Sequence, residues 1–333
     1  MCYGASKGLN YGIHIMSRNI LHFILSILCL ICFTASGASA AKKSKSKTAK
    51  SHAIVSPISP PTSLVVDMNS GKVLHSVNAT ESIYPASLAK LMTIYLAFEA
   101  LEAGKMSMGD YIPVSKRAEA ELPCKLGLRS GETIKVKDAV DALVVKSAND
   151  AAVALGEKIA GTEDRFVKLM TKRAHSLGMN DTVFRRASGW HHPEQRTTAI
   201  DLAKLTMALK RDFPQYYPLF SQNSFEFRGK TIYGHNPVSR DYEGAEGMKT
   251  GFTNPSGFNL ITTATRNGKS LLGVVTGSRT AASRNNKMVT LLDQHFGVRS
   301  KIAQKPTTKK PVVLASHKAK KKLKSKKSKS IAT

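Results

Sequence analysis

Strand-like patterns lie at both ends of the central part of this chain, and helical patterns lie between them. Residues 63–68 and 72–77 are rich in apolar and β-branched residues and flank an Asn-Ser-Gly turn, which predicts a β-hairpin. From about residue 107 to residue 211, apolar residues recur at helical spacing, and strand patterns then return. This order predicts an α/β (α+β) fold in which an antiparallel sheet with flanking helices carries an inserted all-helical lobe. A cleft is expected where the lobe meets the sheet.

Turn and capping residues set the limits of the other elements. Helices are predicted over residues 85–104, 137–146, 151–160, 162–178, 197–211 and 281–296, and strands over residues 225–227, 231–233, 257–265 and 270–276. Asn149 or Asp150 is expected to cap the helix at 151–160, and Thr162 to cap the next one. An Asn-Gly pair between the last two strands predicts a tight hairpin.

The positive charge of the chain is concentrated in its flanks. The net charge is +27, yet residues 61–300 account for only +8 of it. Residues 41–60 carry five Lys, and residues 301–333 carry twelve Lys and no acidic residue. Segments of this composition cannot bury a core. We therefore expect a Lys/Ser/Pro-rich linker over 41–61 and a disordered Lys-rich tail over 299–333.

An apolar segment near the N-terminus predicts export. Residues 20–33 are mostly apolar, follow Arg18 and precede the small residues Ala38 and Ala40. A membrane span needs roughly 20 apolar residues, so this shorter run favours a signal peptide over residues 1–40, cleaved after Ala40. A start at Met16 would give a more typical signal peptide.

Ser87 and Lys90 form the first of three short motifs that can do chemistry. Residues three apart share one face of a helix, so the Lys90 amine can reach the Ser87 hydroxyl. The start of a helix also favours the alkoxide that a nucleophilic Ser must become. A Ser-x-x-Lys pattern occurs three times in the chain, and a Ser at a helix start is often only a cap. On this motif alone, both readings stay open.

The second motif is Ser147-Ala148-Asn149, between two predicted helices. A loop there can point a hydroxyl and an amide into the cleft, where Ser147 could relay a proton and Asn149 could bind a peptide backbone. Helix capping by Asn149 is the simpler interpretation, and the two are compatible.

The third motif is Lys249-Thr250-Gly251, which precedes a predicted strand. In an edge strand along a cleft, Lys249 would supply a fixed positive charge and Thr250 would bind an anion. Gly251 would let the substrate backbone approach closely. A Lys-Thr-Gly sequence is more often a simple turn, so the order of the three motifs is what carries the argument.

That ordered set resembles the motifs of penicillin-binding proteins and serine β-lactamases. Residues 84–93, 147–155 and 247–253 are similar to D-alanyl-D-alanine carboxypeptidases, the low-molecular-mass penicillin-binding proteins of the S11 peptidase family. The resemblance extends from about residue 62 to residue 296. It implies a serine β-lactamase/DD-peptidase-like fold, with a catalytic domain over residues 62–298.

The resemblance implies acyl transfer. Ser87 would attack the carbonyl of the penultimate D-Ala of a peptidoglycan stem pentapeptide, and water would hydrolyse the acyl-enzyme. Lys90 would be the base, provided that burial and the nearby Lys249 lower its pKa enough to keep it neutral. Ser147 would relay protons to the leaving amine. No metal ion or cofactor is expected, because the adjacent His191 and His192 rarely converge on one ion and no second His/Cys cluster has the spacing of metal ligands.

The same resemblance assigns the substrate-binding residues, which are Asn149, Lys249, Thr250, Gly251, Phe252 and Arg279. Asn149 would hold the acyl side of the peptide, and Thr250 and Arg279 would bind the terminal carboxylate. The backbone N–H groups of Ser87 and Phe252 would form the oxyanion hole. Arg279 could instead be an ordinary surface residue.

Further expectations concern partners and location. No Glu between Asn149 and Lys249 stands in the Glu-x-x-Leu-Asn context of a class A β-lactamase, so β-lactams should inhibit the protein. The expected partners are peptidoglycan stem peptides, β-lactams and, through the Lys-rich tail, anionic polymers of a bacterial periplasm or cell envelope. A non-turnover sensor and a DD-endopeptidase remain alternatives. Binding of nucleic acid is not expected, because the tail lacks interleaved aromatic residues.

Overall fold

A computed structural model describes residues 59–298 of the chain. The predicted signal peptide at 1–40, most of the predicted linker at 41–61 and the predicted tail at 299–333 lie outside the described residues. Within 59–298, no helix is both long enough and apolar enough to cross a membrane.

The described part contains nine strands and eight α-helices. The strands are β1 (Thr62–Asp67), β2 (Val73–Val77), β3 (Tyr111–Pro113), β4 (Thr133–Lys135), β5 (Ser224–Phe227), β6 (Lys230–Tyr233), β7 (Ala245–Thr253), β8 (Gly257–Arg266) and β9 (Lys269–Ser278). The helices are α1 (Lys90–Glu102), α2 (Lys116–Glu119), α3 (Val136–Asp141), α4 (Asn149–Ala160), α5 (Glu163–Ser176), α6 (Ala199–Asp212), α7 (Pro237–Asp241) and α8 (Ala281–Phe296).

The central sheet joins the two ends of this part of the chain. Its five strands are antiparallel in the order β2–β1–β9–β8–β7, so the first hairpin pairs with the last strand across the helical segment. This confirms the predicted antiparallel sheet with an inserted helical region. Strand β7, which carries the third motif, is an edge strand, although no strand was predicted over its residues.

The two faces of the sheet are buried against different helices. Val65 packs in a cluster with Met288 and Leu292 of α8, whereas its neighbours Leu64 and Val66 belong to the main core shared with α1 and the helical lobe. Alternation along β1 therefore places helices on both faces, since successive strand residues point to opposite sides. Helix α8 begins with a capping box at Thr280, which accounts for its correctly predicted start.

The start of the fold and one helix cap differ from the sequence prediction. Ser59, three residues before the predicted boundary, is 4% exposed, and its N–H donates to Pro255 O at 3.0 Å. Neither Asn149 nor Asp150 caps α4, whose N-cap is Ala148 with no side-chain bond. The Asp150 carboxylate accepts the N–H groups of residues 126–128, and its Oδ1 also accepts the N–H of Ala151 in the first turn of α4. The side chains that were predicted to cap the helix therefore bond mainly to groups that are distant in the sequence.

Candidate functional site

Ser87 lies in a tight turn at the start of α1. A 3₁₀ helix, Ala86–Ala89, leads directly into Lys90, and Ala86 holds the left-handed backbone angle φ = 48°. A 3₁₀ turn nearly eclipses residues three apart. Lys90 Nζ accordingly lies 3.0 Å from Ser87 Oγ. The contact expected from the first motif is present, although the sequence predicted a continuous α-helix here.

Lys90 is fully buried, with 0% of its surface exposed. Besides Ser87 Oγ, its Nζ contacts Asn149 Oδ1 at 2.7 Å and the carbonyl oxygen of Ser188 at 2.5 Å. Burial, and secondarily the charge of Lys249, lower the pKa of Lys90 well below its usual value. Both causes disfavour the charged ammonium and favour the neutral amine.

The orientation of Asn149 decides where that amine points. Asn149 Nδ2 donates to Leu122 O at 2.7 Å, so Oδ1 is the atom that faces Lys90. Asn149 Oδ1 and Ser188 O can only accept hydrogen bonds. These two acceptors fix the position of Nζ beside Ser87 Oγ, to which the charged amine donates and from which a neutral amine would accept the hydroxyl proton. This is the arrangement of a base and its nucleophile.

Ser147 reaches the site through an irregular backbone. Helix α3 continues into a π-helical turn, Ala142–Lys146, and Ser147 itself is left-handed with φ = 63°. Such turns are frequent at functional sites. Ser147 is 4% exposed, and within residues 59–298 its Oγ has no hydrogen-bond partner. A buried hydroxyl without a partner is available for an incoming group.

Gly251 brings the edge strand against the nucleophile turn. A Cβ at this position would lie 3.2 Å from both Pro85 O and Ser87 N, and 3.3 Å from Ala86 Cβ. The sequence suggested that this glycine makes room for substrate. The structure gives another reason for it, because the backbone that approaches Gly251 is that of the protein.

Lys249 is 2% exposed, and its Nζ donates to Thr250 O at 3.0 Å. Burial, together with the positive charge of Arg284, lowers the pKa of Lys249 to about 7. The expected fixed charge is therefore a charge that titrates near neutral pH. A bound carboxylate would favour the charged form.

Two residues at this side of the cleft were missed by sequence reasoning. Thr250 Oγ1 is hydrogen-bonded to His235 Nε2 at 3.0 Å. Desolvation, Lys249 and Arg284 lower the pKa of His235 to about 4, so the ring is neutral at ordinary pH. Arg284 of α8 is 4% exposed and donates to Asn259 O at 3.1 Å. No local pattern marks either residue, since both contacts join distant segments.

The two remaining predicted residues, Arg279 and Phe252, are exposed. Arg279 follows β9 and is exposed. Phe252 is 42% exposed and stacks on Phe258 with ring centroids 4.3 Å apart. Among residues 59–298, no group of three or more His, Cys, Asp or Glu side chains is arranged to hold a metal ion.

Comparison with known proteins points to one family. A family model described as D-alanyl-D-alanine carboxypeptidase matches residues 46–280. The D-alanyl-D-alanine carboxypeptidase DacC of Escherichia coli is 35% identical over 246 residues, which make up 70% of this chain and 60% of that protein. The chain thus spans about 60% of the length of the curated relatives it matches.

Solved structures of penicillin-binding proteins are similar to this one. Penicillin-binding protein 5 from Haemophilus influenzae has a TM-score of 0.69 at 32% identity, over 73% of this chain and 71% of that one. Penicillin-binding protein D2 from Listeria monocytogenes, in its ampicillin-bound form, has a TM-score of 0.65 at 30% identity, over 73% of this chain and 98% of that one. These likenesses confirm the serine β-lactamase/DD-peptidase-like fold.

Proposed function

The chain belongs to the D-alanyl-D-alanine carboxypeptidase family, and we propose that it is a serine carboxypeptidase that removes the terminal D-Ala from peptidoglycan stem pentapeptides. One observation carries the proposal. Lys90 Nζ lies 3.0 Å from Ser87 Oγ and is held there by two fixed acceptors, Asn149 Oδ1 and Ser188 O. This is the geometry that activates a serine for acyl transfer.

In the acylation step, the Ser87 proton moves to Lys90 Nζ as Ser87 Oγ bonds to the carbonyl carbon of the penultimate D-Ala. The bond from that carbon to the terminal D-Ala nitrogen then breaks, and the proton passes to the leaving amine through the Ser147 hydroxyl. Water hydrolyses the ester and restores Ser87. The N–H groups of Ser87 and Phe252 form the oxyanion hole, which the close approach at Gly251 supports.

Recognition of a free C-terminus rests on the β7 side of the cleft. The substrate carboxylate is received by the charged form of Lys249, the Thr250 hydroxyl and Arg279, while Asn149 binds the acyl side. Charge-assisted hydrogen bonds of this kind are the stronger ones. A β-lactam also carries a carboxylate beside a reactive carbonyl, so it acylates Ser87 and inhibits the enzyme.

Mass spectrometry of the products formed from a stem pentapeptide tests the proposal. We expect a tetrapeptide and free D-Ala, with no release after penicillin treatment or in Ser87→Ala. Acylation by a fluorescent penicillin without any D-Ala release would favour the sensor alternative. Cleavage of cross-linked dimers but not of pentapeptide would favour an endopeptidase. Covalent labelling of Ser87→Ala at the wild-type level would refute the nucleophile assignment.

The flanks, which lie outside the described residues, carry two further proposals. Residues 1–40 direct export to the periplasm or cell envelope, and the Lys-rich residues 301–333 hold the enzyme near anionic envelope polymers. Deleting 301–333 should leave hydrolysis of a small peptide intact and reduce retention on purified cell wall. Equal retention would contradict the tether.

A further inference from the structure

A buried carboxylate, Glu121, lies one hydrogen bond away from the group that aims Lys90. Glu121 is 6% exposed, and its Oε2 accepts the Ser188 hydroxyl at 3.0 Å. The carbonyl oxygen of the same Ser188 accepts Lys90 Nζ at 2.5 Å. A single residue, itself 1% exposed, thus connects Glu121 to the base of the proposed reaction.

The backbone around Ser188 is clamped on several sides. Ala187 donates its N–H to Glu163 Oε1 at 3.0 Å, and its carbonyl accepts the Thr93 hydroxyl at 2.8 Å. At Gly189, whose φ is +76°, a Cβ would lie 2.0 Å from Ala86 O. The segment therefore cannot shift without disturbing the nucleophile turn.

Glu121 and a second buried carboxylate, Glu163, are paired with two arginines. Arg117 contacts Glu121 Oε1 and Glu163 Oε2, each at 2.6 Å, and Arg186 lies 3.8 Å from Glu163. Two buried carboxylates thus share one closely bonded guanidinium, and the second Arg is a longer, half-exposed contact to Glu163 only. Although Glu121 is paired with Arg117, its negative charge still acts on Lys90 and raises the pKa of that amine.

Resting on the proposed function, we propose that Glu121 is a positioning residue for Lys90. Through Ser188 it fixes the carbonyl that orients the amine, and its charge offsets the ammonium that forms when Lys90 takes the Ser87 proton. The proton moves from Ser87 Oγ to Lys90 Nζ, and Glu121 neither gains nor loses one. The role resembles that of a carboxylate that orients and supports a catalytic base.

The charges around Lys90 predict the direction of the pH effect. Lys249 faces it from β7, Asp150 from α4, and Cys124 and Glu121 from the segment between α2 and β4. Lys249 lowers the pKa of Lys90, whereas the three acidic groups raise it. Removing the charge of Glu121 should lower that pKa further. The fall in acylation rate on the acidic side of the pH profile, here called the acid limb, should then occur at lower pH. The maximal (plateau) rate should also decrease, because Lys90 becomes a weaker base.

Glu163→Gln is a matched control for Glu121→Gln. Both carboxylates are 6% exposed, both contact Arg117, and both bond to the 187–189 segment, but only Glu121 is among the charges with the largest effect on Lys90. Acylation by a fluorescent penicillin, measured against pH, is the readout. The plateau rate of acylation should fall about 10- to 100-fold in Glu121→Gln, as expected for misplacing a catalytic group, and the acid limb should lie at lower pH. In Glu163→Gln the acid limb should lie at the same pH as in the wild type.

The proposal would be overturned if the acid limb and the plateau rate were the same in the two Gln variants. A wild-type pH profile in Glu121→Gln would also overturn it. If Glu121→Gln does not fold, Ser188→Ala decides. It keeps the carbonyl that contacts Lys90 and removes the link to Glu121, together with one longer contact in which Ser188 Oγ accepts the Trp190 N–H at 3.3 Å. A lower rate supports the proposal and an unchanged rate overturns it. Ser87→Ala in the same assay distinguishes a failure of the Glu121 proposal from a failure of the proposed function. Labelling of wild type and Ser87→Ala alike would refute the proposed function itself, whatever Glu121 does.

Discussion

Two buried lysines, Lys90 on α1 and Lys249 on β7, show how differently one residue type can be used in a single cleft. Lys90 Nζ contacts three oxygens, two of which can only accept. Lys249 Nζ donates to one carbonyl, that of Thr250. Burial lowers the pKa of both. These surroundings favour the neutral form of Lys90, as its proposed role of base requires, and leave Lys249 able to bind an anion.

The charge of Lys249 also acts on Lys90. The charge of Lys249 contributes to the lowered pKa of Lys90, so protonating the anion-binding side helps to keep the base neutral. Binding a carboxylate beside Lys249 would partly cancel that effect. The oxygens around Lys90 then hold the amine in place regardless of the state of Lys249.

Replacing Lys90 should have the largest effect. Lys90→Met removes the base and should lower the rate of acylation by a fluorescent penicillin about 10²- to 10⁴-fold, the usual contribution of such a group. Lys249→Met is the matched control, because its amine is equally buried. An equal loss of rate in both variants, with affinity unchanged, would break the distinction between base and anion receptor.

Lys249→Met should act mainly on binding. Loss of a charge-assisted contact of about 1.5–3 kcal/mol raises the KM for a pentapeptide roughly 10- to 100-fold. Because the pKa of Lys249 is about 7 in the free enzyme, the wild-type KM should rise as the pH increases above 7. The variant should show a flat profile. A wild-type KM that falls over this range would contradict the assignment.

The same substitution should stabilise the fold at low pH. Lys249 has a pKa of about 7 when folded, against 10.5 ordinarily, so its destabilising effect is complete below pH 7 and fades as the pH rises toward 10.5. Removing it should raise the free energy of unfolding near pH 6 by up to about 5 kcal/mol. Urea unfolding at several pH values measures this difference, and a less stable variant near pH 6 would disprove the burial argument.

The parts of the molecule that sequence could predict are those fixed by local signals. The two flanking hairpins and α8 follow from turn residues, alternation and a capping threonine. The three site motifs were found because each is short and their order is distinctive. Glu121, Ser188 and His235 were missed because their partners are far away in the sequence, 67 residues in the case of the Glu121 contact.

Local signals also failed where tertiary contacts prevail. Asn149 has a good capping side chain, but Lys90 and Leu122 O offer it partners inside the core. The predicted helix at 137–146 ends in a π-helical turn, since Ser147 must enter the cleft in a left-handed conformation. No periodicity of side chains reports such a change in the backbone.

Gly251→Ala tests whether the two lysine-bearing elements must touch. A Cβ 3.2 Å from Pro85 O and Ser87 N requires a shift of a few tenths of an ångström in the nucleophile turn. We expect about a tenfold slower acylation, because small misplacements of reacting groups are costly. Gly109→Ala is the control, since its Cβ would meet nothing nearer than 3.9 Å. A wild-type rate in Gly251→Ala would show that the approach is not needed.

Replacing His235 should have the smallest effect on activity, and it should act only through Thr250. Its ring is neutral above about pH 5, because its pKa is lowered to about 4. If Nε2 donates to Thr250 Oγ1, the Thr250 hydroxyl hydrogen is free to donate to a substrate carboxylate. Losing one neutral hydrogen bond of about 0.5–1.5 kcal/mol should raise KM roughly two- to tenfold in His235→Ala, with kcat unchanged. His235→Gln keeps a donor and should recover part of the loss, whereas a loss as large as that of Lys249→Met would place His235 in direct contact with substrate.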